Sequence, residues 1–477
     1  MAITVQSKPR TTTPAYNPVV WWASSTNVNE TNFKFVFDIY DASAVKIAEY
    51  RVAPRVGDGY GVLDLSRLLS SKLSPNLDLT NTTYYDATGH YYKYSVEIGE
   101  EYNVSYAYTG FVQSDTVTGL EAGYVALTVA SHPFVVGDQV NVTETVATNA
   151  LIPGLHTVVD YDATHIVIDV LYADLISPSS TAGTLIYADN RKSLTRSMSI
   201  NGNYYVIHAA LPFVDRISWL DTDYHMTGAS SKFLTNIPDD FRIASSQELL
   251  VAYMPQTTAV RRMYFENSDG DTFYKTVTPG SGEWVNLSGV SGASLGTLTV
   301  VSGSLPLVKS TTEWYEFTYV DNTNTAVSET KRLYIDTRCA IEDFEILFLD
   351  RKGTWSSFNF MLKAQERETV KREIFNKNID GVDNSGVWEY TTTDKGYSVH
   401  SVSLDQSYTL NTNWMSQADN EYFKELVSSA ETYLFDGTQY VACVVKDTDT
   451  EIVRQRGKKL IKKTITVELS GKDLVNG

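Results

Sequence analysis

Cysteine is nearly missing from this sequence. Two residues, Cys339 and Cys443, stand in 477, too few for a disulfide framework or a four-thiolate metal site, so ordinary buried thiols are expected. Positive charge is also scarce, with 39 Lys and Arg against 57 Asp and Glu and a formal net charge of −18. A general electrostatic grip on duplex DNA is thereby excluded, because such a grip needs cations to displace the counterions of phosphate. No stretch approaches the ~18 uninterrupted apolar residues of a membrane helix, and Met1 to Lys8 lack the basic start and apolar run of a signal peptide. A soluble protein made in a cytoplasm, without membrane contact, is expected.

Motifs of chemistry are equally sparse. There is no Walker A loop, no G-x-S-x-G elbow, no H-E-x-x-H and no dinucleotide fingerprint. The seven histidines never reach i,i+2 or i,i+4 spacing; three of them, His132, His156 and His165, lie close enough in sequence for a shared small domain, yet surface or core positions explain them better than zinc. Glu266 to Asp271 has the look of a calcium loop, but Phe265 occupies the first ligand position and no Glu stands at the twelfth, which leaves a hairpin turn. Carboxylates are abundant enough for a glycosidase pair about 5–9.5 Å apart, and nothing singles one pair out. No catalytic residue, cofactor or metal is expected, and the chain is not read as an enzyme.

What is present is the vocabulary of strands: 31 Tyr, 18 Phe and 8 Trp in text rich in Thr, Val, Ser and Asn. Phe33, Phe35, Phe37 and Ile39 alternate as a half-buried strand requires, as do Tyr92, Tyr94, Val96 and Ile98, and Ile465, Val467 and Leu469. Turn signals such as Gly57-Asp58-Gly59, Asp269-Gly270 and Pro279-Gly280 separate these runs. Helices are few. Leu65, Leu68, Leu69 and Leu73 predict one over 64–73 with Asp64 as N-cap and Pro75 as stop. Ser416 to Ala430 predicts the best one, capped by Ser416 and carrying a stripe of Tyr422, Phe423, Leu426 and Val427. Lys363 to Lys377 is charge-dense with helix-favouring composition and is read as an exposed or partner-facing segment.

The fold expected is therefore mainly β: a multi-domain β-sandwich/barrel chain with an inserted small β-barrel and a C-terminal β-rich domain containing one short helix. Five strand-like runs between Gln113 and Asp189 suit an SH3-like barrel, bracketed by aromatic strand text on both sides and so placed as an insertion. The divisions are 1–112 and 189–245 for the two parts of an N-terminal β-domain, 113–188 for the insert, 246–335 for a middle β-domain and 336–477 for a C-terminal, ring-forming domain. The adjacent aromatics Trp21-Trp22, Tyr84-Tyr85, Tyr91-Tyr92 and Tyr204-Tyr205 point to opposite strand faces. An exposed row of them could stack sugars or anchor a protein interface; burial on both faces is the plainer outcome.

Several phrases resemble a known group. Tyr16-Asn17-Pro18-Val19-Val20-Trp21-Trp22, Asn32 to Phe35, Gly57 to Leu65, Ser95 to Tyr102, Lys232 to Pro238 and Glu345 to Phe360 are similar to text in tail structural proteins of Bacteroidota phages, notably the ring-forming tail barrel proteins of crAss-like phages. The C-terminal order of helix, strand and basic closing strand is similar as well. The resemblance implies a virion structural protein, a ring-forming component of the tail barrel or head-tail connector region around the DNA channel. It further implies a homo-oligomer, twelvefold to match the portal, with other tail ring, portal or adaptor proteins as partners and genomic DNA passing without tight binding. The alternative class is a glycan-binding tail fibre or adhesin module; a secreted glycosidase would need an export signal. Candidate subunit-interface residues are Asp350, Arg351, Lys352 and Trp355, expected in a loop touching a neighbour because Arg and Trp are common interface anchors. The basic cluster Arg454, Arg456, Lys458, Lys459, Lys462 and Lys463 is expected on a strand, dividing over both faces and pairing with acidic neighbours on adjacent subunits rather than with DNA.

Overall fold

The computed structural model describes residues 3–77, 87, 89–103, 105–144, 152–175, 182–187, 193–255, 261–277, 284–338, 341–376, 392, 396–435, 437–446, 461–471 and 473–474. Among the described residues strand accounts for 51 % and helix for 9 %, with three α-helices. The chain is mainly β, and its chain contacts divide it into two compact units: residues 1–10, 18–65 and 93–204, and residues 11–17, 66–92 and 205–477.

In the first unit, Lys34–Asp41 runs antiparallel between Lys46–Val52 and Tyr91–Tyr102. Phe33, Phe35, Phe37 and Ile39 are buried as their alternation predicts, but so are Val36 and Asp38 from the opposite face. The strand is thus covered on both sides rather than half-buried, and Asp38 is balanced there by Lys46 at 2.7 Å. A second sheet of seven antiparallel strands is ordered Ser105–Tyr108, Gly183–Tyr187, Gln139–Glu144, Gly154–Tyr161, His165–Leu171, Tyr124–Thr128, Phe111–Gln113. Its two end strands are neighbours in the chain, so the sheet curls into a nearly closed barrel. The alternating residues Val125 and Leu127, Val140 and Val142, and Ile166 and Ile168 fill it together with Phe134. The barrel takes in the strand Ser105–Tyr108 and the start of Phe111–Gln113, which lie before the expected start at 113.

The second unit holds a six-stranded sheet, Phe241–Ile243, Ala326–Ile335, Trp314–Val320, Arg261–Asn267, Thr272–Val277 and Thr299–Ser302, and a larger one ordered Trp355–Phe360, Phe344–Leu349, Thr432–Phe435, Tyr440–Val445, Thr464–Leu469, Tyr397–Asn411, Gln365–Asn376. Residues expected to separate at 335/336 share one core, in which Phe265, Tyr315 and Phe317 join Phe348, Phe358 and Phe360. The turn suspected of calcium binding is the hairpin between Arg261–Asn267 and Thr272–Val277.

One helix expectation needs correction, and the exposed segment 363–377 takes a form its helix-favouring composition does not suggest. The first helix spans only Ser66–Ser70: Asp64 ends the strand Gly61–Asp64, and its Oδ1 accepts from the Val19 amide at 3.0 Å. Lys363 to Lys377 is largely strand, Gln365–Asn376, since pairing along its whole length to Tyr397–Asn411 overrides local helix preference. The helix Gln417–Ser428 forms as predicted, its start fixed by a reciprocal capping box. The Asp419 amide donates to Ser416 Oγ at 3.1 Å and the Ser416 amide to Asp419 Oδ2 at 2.8 Å. Tyr422, Phe423 and Leu426 are buried, and Val427 packs half-buried against the same core.

Candidate functional site

Asp350 to Thr354 link Phe344–Leu349 to Trp355–Phe360 in a tight hairpin. Asp350 organises it: Oδ1 accepts from the Lys352 and Thr354 amides, both at 2.9 Å, and Oδ2 from the Asn236 amide at 3.3 Å. Gly353 at φ +82° lets the turn close against the His208 carbonyl. Glu425, from the helix Gln417–Ser428, reaches the same place, where its Oε2 accepts from Asn236 Nδ2 at 2.9 Å and from the Arg351 amide at 3.3 Å. Lys352 Nζ donates to the Thr235 carbonyl at 2.9 Å and lies 5.3 Å from the Tyr224 ring centroid.

Burial dominates the electrostatics here. It raises the Asp350 and Glu425 carboxyls above their ordinary range, the Asp350 shift being reinforced by the Glu425 charge, and it lowers the Lys352 ammonium. Two cavities flank the group. One of about 350 Å³ is lined by Tyr16, Pro75, His208, Arg351, Glu425 and Glu431. The other, about 470 Å³, is lined by Pro212, Trp219, Tyr224, Asn236, Lys352 and Glu425. Tyr16 Oη lies 3.0 Å from His208 Nε2, and burial beside His90 brings the His208 imidazole down to about 4.

This geometry corrects the expectation of an interface loop. Trp355 is 2 % exposed, packed against Tyr433 with Nε1 donating to the Asn76 carbonyl at 3.3 Å, and Asp350 is buried as well. Neither presents a surface to a neighbour. Arg351 and Lys352 are half-buried and engaged within the chain, Arg351 Nη2 donating to Ser428 Oγ at 3.2 Å. The turn joins the helix to the 233–237 segment. Of the basic cluster, Arg454, Arg456, Lys458 and Lys459 lie outside the described residues. Lys462 is exposed and Lys463 half-buried, and both precede the strand Thr464–Leu469, so alternation along a strand does not decide how they face. Among the described residues no group of three His, Cys, Asp or Glu is placed to hold a metal, and no helix is long and apolar enough to cross a membrane.

Surfaces that could meet a partner lie elsewhere. The paired strands Gln365–Asn376 and Tyr397–Asn411 form an arm. Only Ser403 to Leu404 and Ser407 to Asn411 of the inner strand find further described partners, in Asp473–Leu474 and Thr464–Leu469. Beyond them the arm is two strands wide among the described residues, and the outer strand Gln365–Asn376 is exposed at every position except half-buried Thr369. Val370, Ile374, Phe375, Tyr397 and Val399 lie in the open. A second apolar patch, unmarked by any sequence signal, is formed by Phe213, Val214, Ile217 and Leu220 on and after the helix Phe213–Ser218, with exposures of 42–74 %.

No protein-family model and no curated protein matches the sequence. Among solved structures, the chain is similar to the phage phi92 endosialidase at 10 % identity, with 99 % of this chain and 70 % of that one covered and a TM-score of 0.18. Trypsin-activated alpha-2-macroglobulin from Escherichia coli aligns at 8 % identity over 98 % of this chain and 42 % of that one, with a TM-score of 0.12. Neither overlay establishes a shared fold.

Proposed function

We propose that this chain is a virion structural protein that works as an assembly of its own copies, a ring-forming component of a phage tail. The observation that carries the assembly reading is the arm. A two-stranded ribbon exposed on both faces is marginal by itself, and an open outer edge with apolar side chains is a liability that folded proteins blunt or cover. Its length and its row of exposed apolar groups are explained if a partner lies against it in the working particle. The tail location and the twelvefold ring rest on the resemblance of the phrases in both units. Excess negative charge suits a channel through which DNA passes without sticking.

A sugar-stacking row finds less support, because Trp21, Tyr204 and Tyr205 are buried. Mass measurement of the purified full chain under native conditions tests the proposal. A closed multimer supports it, whereas a monomer or a trimer speaks against it.

A further inference from the structure

We infer that two copies of the chain join edge to edge through Gln365–Asn376, running antiparallel about a twofold axis at Val370. This rests on reading the arm as an assembly element and names what covers it: a second copy of the same strand.

Among the described residues the outer strand pairs only with Tyr397–Asn411, along its inner edge, and no strand lies along its other edge. Residues directly opposite in an antiparallel pair share a face and sit close enough for charge to select the register. With Val370 opposite its own copy, Arg367 faces Glu373 and Glu368 faces Arg372, each twice by symmetry. Every pair of charges so opposed is attractive, and Thr369 meets Lys371. Neighbouring registers fail. A shift one way opposes Arg367 to Arg372 and Glu366 to Glu373; a shift the other way opposes Glu368 to Glu373. Shifts of two oppose Arg367 to Lys371, or Lys371 to its own copy. In each of these registers like charges directly opposite offset or outweigh the attractive pairs that remain, such as Glu368 with Lys371 or Glu366 with Arg372, so charge favours the register centred on Val370 over those within two residues of it.

The charges concerned are available for the contact. Among the described residues Arg367, Glu368, Arg372 and Glu373 enter no ion pair within the chain; Glu373 accepts only from Ser401 Oγ at 3.1 Å and Glu368 from Gln406 Nε2 at 3.4 Å. The one bulge of the arm lies on the inner strand, where Glu373 pairs Ser401 and Ile374 pairs Val399, so the outer strand keeps an unbroken alternation. The contact is isologous and closes at two copies. Members of a cyclic ring meet head to tail, so this twofold contact joins copies of two facing rings, and each ring needs a second surface, for which the patch of Phe213, Val214, Ile217 and Leu220 is available.

Val370→Cys in the full chain tests the register. Under mild oxidation it should give a covalent dimer with the 370–370 disulfide found by mass spectrometry of the digest. Glu368→Cys should not, since its own copy then lies four residues along, about 13 Å away. Arg367→Glu with Arg372→Glu should weaken pairing at least tenfold, and adding Glu368→Arg with Glu373→Arg should restore it. No dimer from Val370→Cys, equal cross-linking by both cysteine variants, or no rescue by the fourfold reversal overturns the inference. Larger rings that assemble with Val370→Cys unlinked overturn the strand pairing alone, whereas a linked pair that never grows beyond two overturns the ring alone.

Discussion

Gly353 turns the chain at φ +82°, and a methyl group added to it would sit 2.0 Å from the His208 carbonyl oxygen. Gly270, at φ +81°, turns a hairpin in open space. Alanine at both positions separates backbone strain from close approach. Gly270→Ala should cost about 1 kcal/mol and Gly353→Ala about 2–4 kcal/mol, read from urea midpoints. Equal losses would mean that the turn at Asp350 is not tightly held. Glu345 supplies a second prediction. Its Oε1 accepts from the Glu248 amide at 2.9 Å, and burial, reinforced by the Glu248 charge and only partly offset by hydrogen bonds from the Glu248 amide, Ser357 and Tyr440, pushes its carboxyl up to about 8. A carboxyl raised in the folded state binds more protons there than in the unfolded chain, so stability is highest at acid pH and falls as pH rises from the ordinary carboxylate range toward 8. The slope is at most about 1.4 kcal/mol per pH unit for this one group. Glu345→Gln should remove that share and keep the part due to Asp350 and Glu425, measured as denaturant midpoints at about pH 5 and about pH 8.5. Parallel curves for variant and parent would contradict the buried-acid account. The sequence does not reveal this carboxyl, since its environment is built by Glu248, Ser357 and Tyr440 from separate strands and turns. The same holds for Trp355, whose cover comes from residues 76 and 433.

Among the elements, those with one apolar stripe were legible in the text. The helix Gln417–Ser428 announces itself by Ser416 and by the spacing of Tyr422, Phe423 and Leu426, and the barrel strands by alternation. The arm was not legible as strand because periodicity reports a buried face, and Gln365–Asn376 has none. Its charge density did mark it as exposed. The helix Phe213–Ser218 carries no signal in the text, since six residues are too few to show a helical period and none of them is buried. Exposure sets the expectation for the arm. Replacing Ile374, Phe375, Tyr397 and Val399 by serine or threonine should leave the denaturation midpoint within about 0.5 kcal/mol per site, as for ordinary surface changes, while weakening association. A loss of stability near the ~3–5 kcal/mol of a core aromatic would show that the arm folds back on its own chain.

Two compact units, each with a β core, carry a charge of −18, which disfavours a general grip on phosphate. Fold class was readable from composition and alternation. The grouping of residues 205–477 into one unit was not, because strand text carries no mark of which sheets will share a core. Nor does local text show that a Trp beside an Arg in a turn is interior, since that depends on segments more than 250 residues apart in the chain. The central claim is that the chain acts as an assembly of its own copies. Native mass spectrometry of the full chain, over a range of protein concentration and salt, tests it most directly. The account predicts closed multimers of the 53.2 kDa subunit, even in number because facing rings pair, with the charge-paired strands separating as salt rises. A single 53.2 kDa species at every concentration and salt would contradict it.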